Sequence, residues 1–398
     1  IGFGILVRQE ISGSIKFGYL SKLALFLSEI PVNIKEIIKD SDLSQEDRFP
    51  LLNGFNGKPN SNQSYLLLSR YDGDLKEGLV ELVDLKNFEV LHTWNPNLDE
   101  FNKSVEKNAE FKYIDRDHNN SRQMLQHPQL TKDGGLLIGW ELPLRKIDSC
   151  SNLIFQRKDN IYHHSIETDI EGNIWAPSRI YPQSLPIKIV GRNIMLEGGY
   201  HDDGIVKLSP NGKVLFERSV SQIFIDNDLE YLLFGMGNKE VDPIHLNDIQ
   251  PVDFDGEFWK KGDVFLSLRH QSMVLLYRPS TNKIIWKGTG PFFYQHDVDI
   301  LNSHSISIFN NNAKEFVDGI FVDGNNQVII YDFRKNNYSF YLNESLIKND
   351  VRTVAEGRSQ ILPNGDLLIE ETEYGRTLYF NADGSLRWTH VNRANNSK

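Results

Sequence analysis

The sequence predicts an all-β chain folded as a β-propeller, six-bladed in its simplest form, with an N-terminal helical arm. Three observations predict it. From about residue 62 onward, short β-branched and aromatic runs alternate with Asp-Gly, Asn-Gly and Gly-Asn turns. A unit of strand, tight turn and strand ending in an aromatic recurs in "GLVELVDLKNFEVLHTW" (78–94), "DGIVKLSPNGKVLFE" (203–217), "MVLLYRPSTNKIIWKG" (273–288) and "RTLYFNADGSLRWTH" (376–390). No helical pattern and no linker separates these units. Radial closure suits such repeats, because it leaves only short, protected strand edges. Four strands per blade with generous loops give six blades. Seven or eight blades, or a pair of β-sandwiches, are the alternatives, and the missing linker weighs against the sandwiches.

Taken in order, the chain begins with "IGFGILV" (1–7), too short to span a membrane by itself. We expect it to be the end of a membrane helix or signal anchor; a buried first strand is the other reading. "SKLALFLSEIPVNIKEII" (21–38) carries helical spacing through Leu23, Phe26, Ile30, Ile34 and Ile37, and Pro31 breaks or restarts it. Residues 1–60 are therefore expected to form the arm and 61–398 the propeller. Hairpins are expected at "TKDGGLLIGWE" (131–141), "DIEGNIWAPS" (169–178), "SPNGKVLFER" (209–218), "DFDGEFWKKGDVFLSLR" (253–269), "LPNGDLLIEET" (362–372) and "NADGSLRWTH" (381–390). "FNNNAKEF" (309–316) reads as a turn within a blade, and the tail "NRANNSK" as a frayed end.

Charge narrows the function. The formal net charge is −11, which argues against a nucleic-acid partner. It also offers no long-range attraction to an anion, so any anion site must be built locally. The one cysteine, Cys150, rules out an intramolecular disulfide.

In a propeller, residues just before an inner strand stand at the mouth of the central channel. Five of the eleven histidines fall at such positions: His127, His163, His164, His245 and His296. Each alone reads as a packed structural histidine. Several converging on one axis read as a site. Arg269 ends the apolar run "GDVFLSLR", and a buried arginine needs an anion. Either a substrate oxyanion or an inter-blade carboxylate would serve.

The succession "HLN" (245–247), "GDVFLSLRHQSMVLLYRPSTNKIIWKG" (262–288), "FFYQHDVDIL" (292–301) and "SQILPNGDLLIEETEYGRTLYF" (359–380) resembles the bacterial arylsulfotransferases. The likeness spans most of residues 60–395 and is strongest from 240 to 390. It implies a six-bladed propeller with the site in its channel. It implies His296, in its Gln-His motif, as nucleophile, and Arg269 as clamp on the sulfuryl oxygens. His245 and His164 become acid–base groups, with Asn247 and His163 binding substrate; which of His163 and His164 faces the channel stays open. Aryl sulfate would donate, a phenol would accept, and a sulfohistidine would link the two half-reactions. No cofactor, nucleotide donor or metal is implied. The periplasm or cell envelope is the implied location, with membrane attachment through the N-terminus. The sequence departs from the family in having no disulfide and a short segment between Arg269 and His296.

Two other classes compete. A non-catalytic propeller would act as a binding or scaffold module. A metal-dependent hydrolase would use His127, His163, His164 and Asp297 as ligands, but the sequence has no tight metal spacing. The "NNS" (119–121) and "NES" (343–345) triplets are chance glycosylation patterns.

Overall fold

The computed structural model describes residues 2–11, 17–28, 30, 47–108, 110–186, 200–235, 241–316 and 319–394. The chain divides into two compact units, Ile1–Leu51 and Leu52–Lys398. The first holds helices at Gly2–Ile11 and 19–28. Residues 31–38 of the expected arm, and the last four residues of the tail, lie outside the described residues. Among the described residues no helix is long and apolar enough to cross a membrane.

Six blades make up the second unit. Blade 1 has three strands, Tyr65–Asp72, Glu77–Asp84 and Glu89–Trp94. Blade 2 runs from Gln129 to Gln156, blade 3 from Ile161 to Ser219, blade 4 from Leu246 to Thr289 and blade 5 from Val298 to Tyr341. Blade 6 runs from Arg358 to Val391, and Gly54–Gly57 pairs along its last strand, Gly57 opposite Trp388. The first strand of the unit thus completes the last blade. This places 54–57 in the propeller, before the 60/61 boundary expected from sequence.

The reason these runs form blades is visible in their packing. Alternate residues of each strand face opposite neighbours, so each blade contributes to two cores. Val80, Trp94, Leu136 and Ile147 join blades 1 and 2; Leu137, Leu144, Ile174 and Val206 join 2 and 3. Ile205, Leu246, Leu266 and Leu275 join 3 and 4; Phe265, Leu276, Ile306 and Ile308 join 4 and 5. Phe309, Val328, Leu367 and Leu378 join 5 and 6, and Leu66, Leu68, Tyr379 and Trp388 return to blade 1. Six cores between six blades close the ring.

Carboxylates fasten blade 3 to blade 4, blade 4 to blade 5 and blade 5 to blade 6. Asp203 accepts the Leu246 N–H (2.6 Å), Asp248 that of Val298 (3.1 Å) and Asp297 that of Ser359 (3.1 Å). Asp297 is therefore an inter-blade fastening, and its position does not suit the metal ligand considered above.

Two local expectations are corrected. In the 253–269 hairpin, Gly262 (φ 88°) rather than Gly256 takes the left-handed turn position, which leaves "DFDG" in a longer approach. "FNNNAKEF" is no simple turn. It ends the strand Ser305–Asn310 and begins Ala313–Phe316, half of a separate hairpin with Gly319–Val322.

Candidate functional site

One backbone kink recurs where the inner strands begin. His127 (φ 47°), His164 (56°), His245 (52°), Tyr294 (54°) and Glu356 (54°) hold left-handed conformations in blades 2 to 6. Such a conformation costs a non-glycine residue on the order of 1 kcal/mol, so surrounding packing must hold each one. In blade 3 the interruption is larger. Ile161–Tyr162 and Glu167–Thr168 pair with the same strand, and residues 163–166 bulge out between them.

Three of the kinked residues are histidines, and their rings form a chain over the channel. Ring centroids lie 6.1 Å apart for His127–Trp140, 4.9 Å for Trp140–His164 and 5.0 Å for His164–His245. His164 and His296 are 6.0 Å apart.

His296 has a defined proton position. Asn311 donates its amide N–H groups to the Thr353 and Glu356 carbonyls, so its Oδ1 must face His296 Nδ1, at 2.7 Å. Nδ1 therefore carries the proton. Nε2 holds the lone pair and accepts the Glu356 backbone N–H at 2.9 Å. Burial first, and then the charge of Arg269, hold this imidazole far below its ordinary pKa, against the pull of Asn311. It is a neutral base with its lone pair on Nε2.

His245 is held differently. Its Nδ1 donates to Asp242 Oδ2 at 2.6 Å, which leaves the Nε2 lone pair facing away from the carboxylate. Burial pushes the Asp242 carboxyl up, but the surrounding imidazoles outweigh it and keep it ionised. Next to it, His270 Nδ1 donates to the Asp242 carbonyl and His270 Nε2 accepts from Arg269 Nη1 at 2.8 Å.

Arg269 is a buried cation without its anion. The Tyr294 ring lies under its guanidinium at 4.4 Å. Its Nε is buried without a hydrogen-bond partner, and no carboxylate lies within ion-pair distance among the described residues. Burial lowers its pKa, which is the signature of a charge short of compensation. The inter-blade salt bridge weighed from sequence is not formed.

The remaining expected residues sort by orientation. His164 is the channel-facing member of its pair. His163 lies behind it, with Nε2 at 3.3 Å from buried Asp203 and Nδ1 at 2.8 Å from His164 Nδ1. A carboxylate at that distance favours the proton on His163 Nε2, so His164 donates through Nδ1 and keeps its lone pair on Nε2. Asn247 donates its amide to the Gln295 carbonyl at 2.9 Å, and its unpartnered atom is the acceptor Oδ1. It holds the segment that carries His296, with one of its two amide N–H groups on the Gln295 carbonyl.

A model of the arylsulfotransferase (ASST) family matches residues 127–393, from the first channel histidine through blade 6. The chain belongs to the arylsulfotransferase family. No curated protein matches it significantly. Among solved structures it is similar to a protein of unknown function from Bacteroides caccae, at 12% identity over 83% of this chain and 94% of that one, with a TM-score of 0.48. It is also similar to a streptogramin B lyase, at 10% identity over 86% and 88% with a TM-score of 0.42. A third is the WD40 β-propeller domain of Doa1, at 10% over 85% and 84% with a TM-score of 0.41. These likenesses do not bear on the chemistry of this arylsulfotransferase-family site.

Asp242, His270, Asn311, Trp140 and Glu356 were not singled out from sequence. His270 directly follows Arg269, and Asp242 precedes His245 by three residues, so proximity was a usable signal for both. Asn311 and Glu356 come from loops whose path only the fold reveals.

Proposed function

We propose that the protein transfers a sulfuryl group from an aryl sulfate to a phenol through a sulfohistidine on His296. The observation that carries this reading is Arg269: a buried guanidinium with no carboxylate within ion-pair distance among the described residues, set beside imidazoles. Such a charge wants an oxyanion, and sulfuryl transfer develops charge on equatorial oxygens much as phosphoryl transfer does.

In the first half-reaction Nε2 of His296 attacks sulfur and the S–O bond to the aryl group breaks. For this step His245 carries a second proton, on Nε2, beside the Nδ1 proton that Asp242 accepts, and the leaving phenoxide takes it. In the second, Nε2 of His245 removes the proton of the acceptor phenol, the phenoxide attacks sulfur, and the N–S bond breaks. The proton taken from one phenol is thus the one delivered to the next, and Asp242 stabilises the charged imidazole in between. General acid–base help of this kind is typically worth about 10²–10⁴-fold. The Glu356 N–H that caps Nε2 must give way to sulfur, and its position then suits a donor to a sulfuryl oxygen. Exchanging one hydrogen bond for another costs about 1 kcal/mol or less.

Stopped-flow release of phenol from a chromogenic aryl sulfate, without acceptor, tests this. One equivalent per enzyme in a burst is expected. A His296→Ala variant that is folded and still gives the burst would remove His296 from the reaction.

A further inference from the structure

Behind His245, three imidazole nitrogens surround one carboxylate oxygen. Asp242 Oδ2 stands 2.6 Å from Nδ1 of His245, 3.6 Å from Nδ1 of His201 and 3.9 Å from Nδ1 of His270. The candidate ligand atoms of Asp242, His245 and His270 all lie within 4.8 Å of one another. Hydrogen bonding within the protein does not account for the whole arrangement. His245 alone bonds the carboxylate, His270 bonds the Asp242 carbonyl instead, and Nδ1 of His201 is buried without a hydrogen-bond partner.

We propose that Asp242, His245, His270 and His201 form a binding site for a divalent transition metal ion of the Zn²⁺ type, whose occupation switches His245 off. Three imidazoles and one carboxylate are the donor set of Zn²⁺, Cu²⁺ or Ni²⁺, whereas Ca²⁺ and Mg²⁺ want oxygen. Metal–nitrogen bonds of roughly 2.0–2.1 Å put tetrahedral ligands roughly 3.3 Å apart, between the distances found here, so small side-chain rotations complete the shell. All four ligands sit at the rims of blades 3 and 4, two of them beside strand ends. With four protein ligands the shell is closed and keeps no position for a reacting water, unlike a catalytic zinc site.

The switch follows from proton positions. A metal takes the Nδ1 lone pair, so the proton of each ligating imidazole must reside on Nε2. For His245 that removes the lone pair which takes the phenol's proton. For His270 it turns the acceptor of Arg269 Nη1 into a second donor, and the guanidinium loses the partner that orients it. Binding is independent of the proposed reaction; the switching effect rests on it.

The test is calorimetric titration of EDTA-treated protein with Zn²⁺ alone, followed by phenol release with and without Zn²⁺ in each variant. One equivalent should bind at micromolar concentration or tighter, with roughly tenfold or greater weakening in both His201→Ala and Asp242→Asn. Zinc should suppress phenol release in the wild-type chain, and the same concentration should fail to do so in His201→Ala. If Asp242→Asn does not fold, His201→Ala, at a partly exposed side chain, carries the comparison. No uptake by folded protein, or equal affinity in both variants, overturns the site. Uptake with unchanged phenol release overturns the switch. Uptake by a protein that never releases phenol supports the site and removes the reaction instead.

Discussion

The channel holds two arginines in opposite company. Arg269, at the histidine end, faces imidazoles and an aromatic ring and has no carboxylate within ion-pair distance among the described residues. Arg358, on the first strand of blade 6, stands among Asp297, Glu167, Glu370 and Asp299, with Glu167 at 3.8 Å. Burial lowers the pKa of Arg269; at Arg358 burial acts in the same direction but the carboxylates outweigh it and raise the pKa. A cavity of about 330 Å³ borders Arg358, Asp299, Glu370 and His127, against the first strand of blade 1. The difference teaches where an anion fits. The charge of Arg358 is already spent within the protein, and that of Arg269 is left for a ligand.

Replacing each arginine breaks or sharpens this contrast. Arg269→Ala should lower kcat/KM for aryl sulfate by about 10²–10³-fold, the usual loss when one preorganised oxyanion donor is removed. Steady-state kinetics check it, and a loss under about threefold would mean that Arg269 does not touch the sulfuryl group. Arg358→Leu should act the other way, leaving transfer nearly intact while lowering the melting temperature by on the order of 5 °C, because it strands carboxylates. Calorimetry with an activity assay on the same sample separates the two effects.

A smaller effect comes from Glu167. Burial, against the pull of Arg358, raises its carboxyl to about 7. The folded state therefore binds its proton more tightly than the unfolded chain does. The resulting stabilisation is complete below the ordinary glutamate value and is lost as pH rises through about 7. Glu167→Gln should escape that loss. Its melting temperature relative to wild type should be more favourable at pH 8 than at pH 5, by on the order of 2 °C. An unchanged difference across that range would show that Glu167 is ionised throughout.

What could be read in the sequence follows the same division. Strand alternation and Gly-centred turns are local, so the propeller, its hairpins and the histidines before the inner strands were all legible. Arg269 stood out because a buried arginine is costly wherever it falls. The partners were harder. Asn311, which fixes the proton on His296, lies in a segment whose composition says only turn, and it reaches His296 because blades 5 and 6 meet there. Asn247 was read as substrate-binding from its motif, and a residue type shows no orientation; only the fold puts one of its amide N–H groups on the Gln295 carbonyl. His163 and His164 are adjacent in sequence, and only the bulge in blade 3 turns one to the channel and the other to Asp203.

The central claim is that His296 Nε2 carries the sulfuryl group, and mass spectrometry of the intact protein tests it most directly. Incubated with an aryl sulfate and no acceptor, the chain should gain the mass of one SO₃ group. Peptide mapping should place it on His296, and added phenol should discharge it. An adduct on another residue, or phenol turnover with no adduct at any time, would contradict the account.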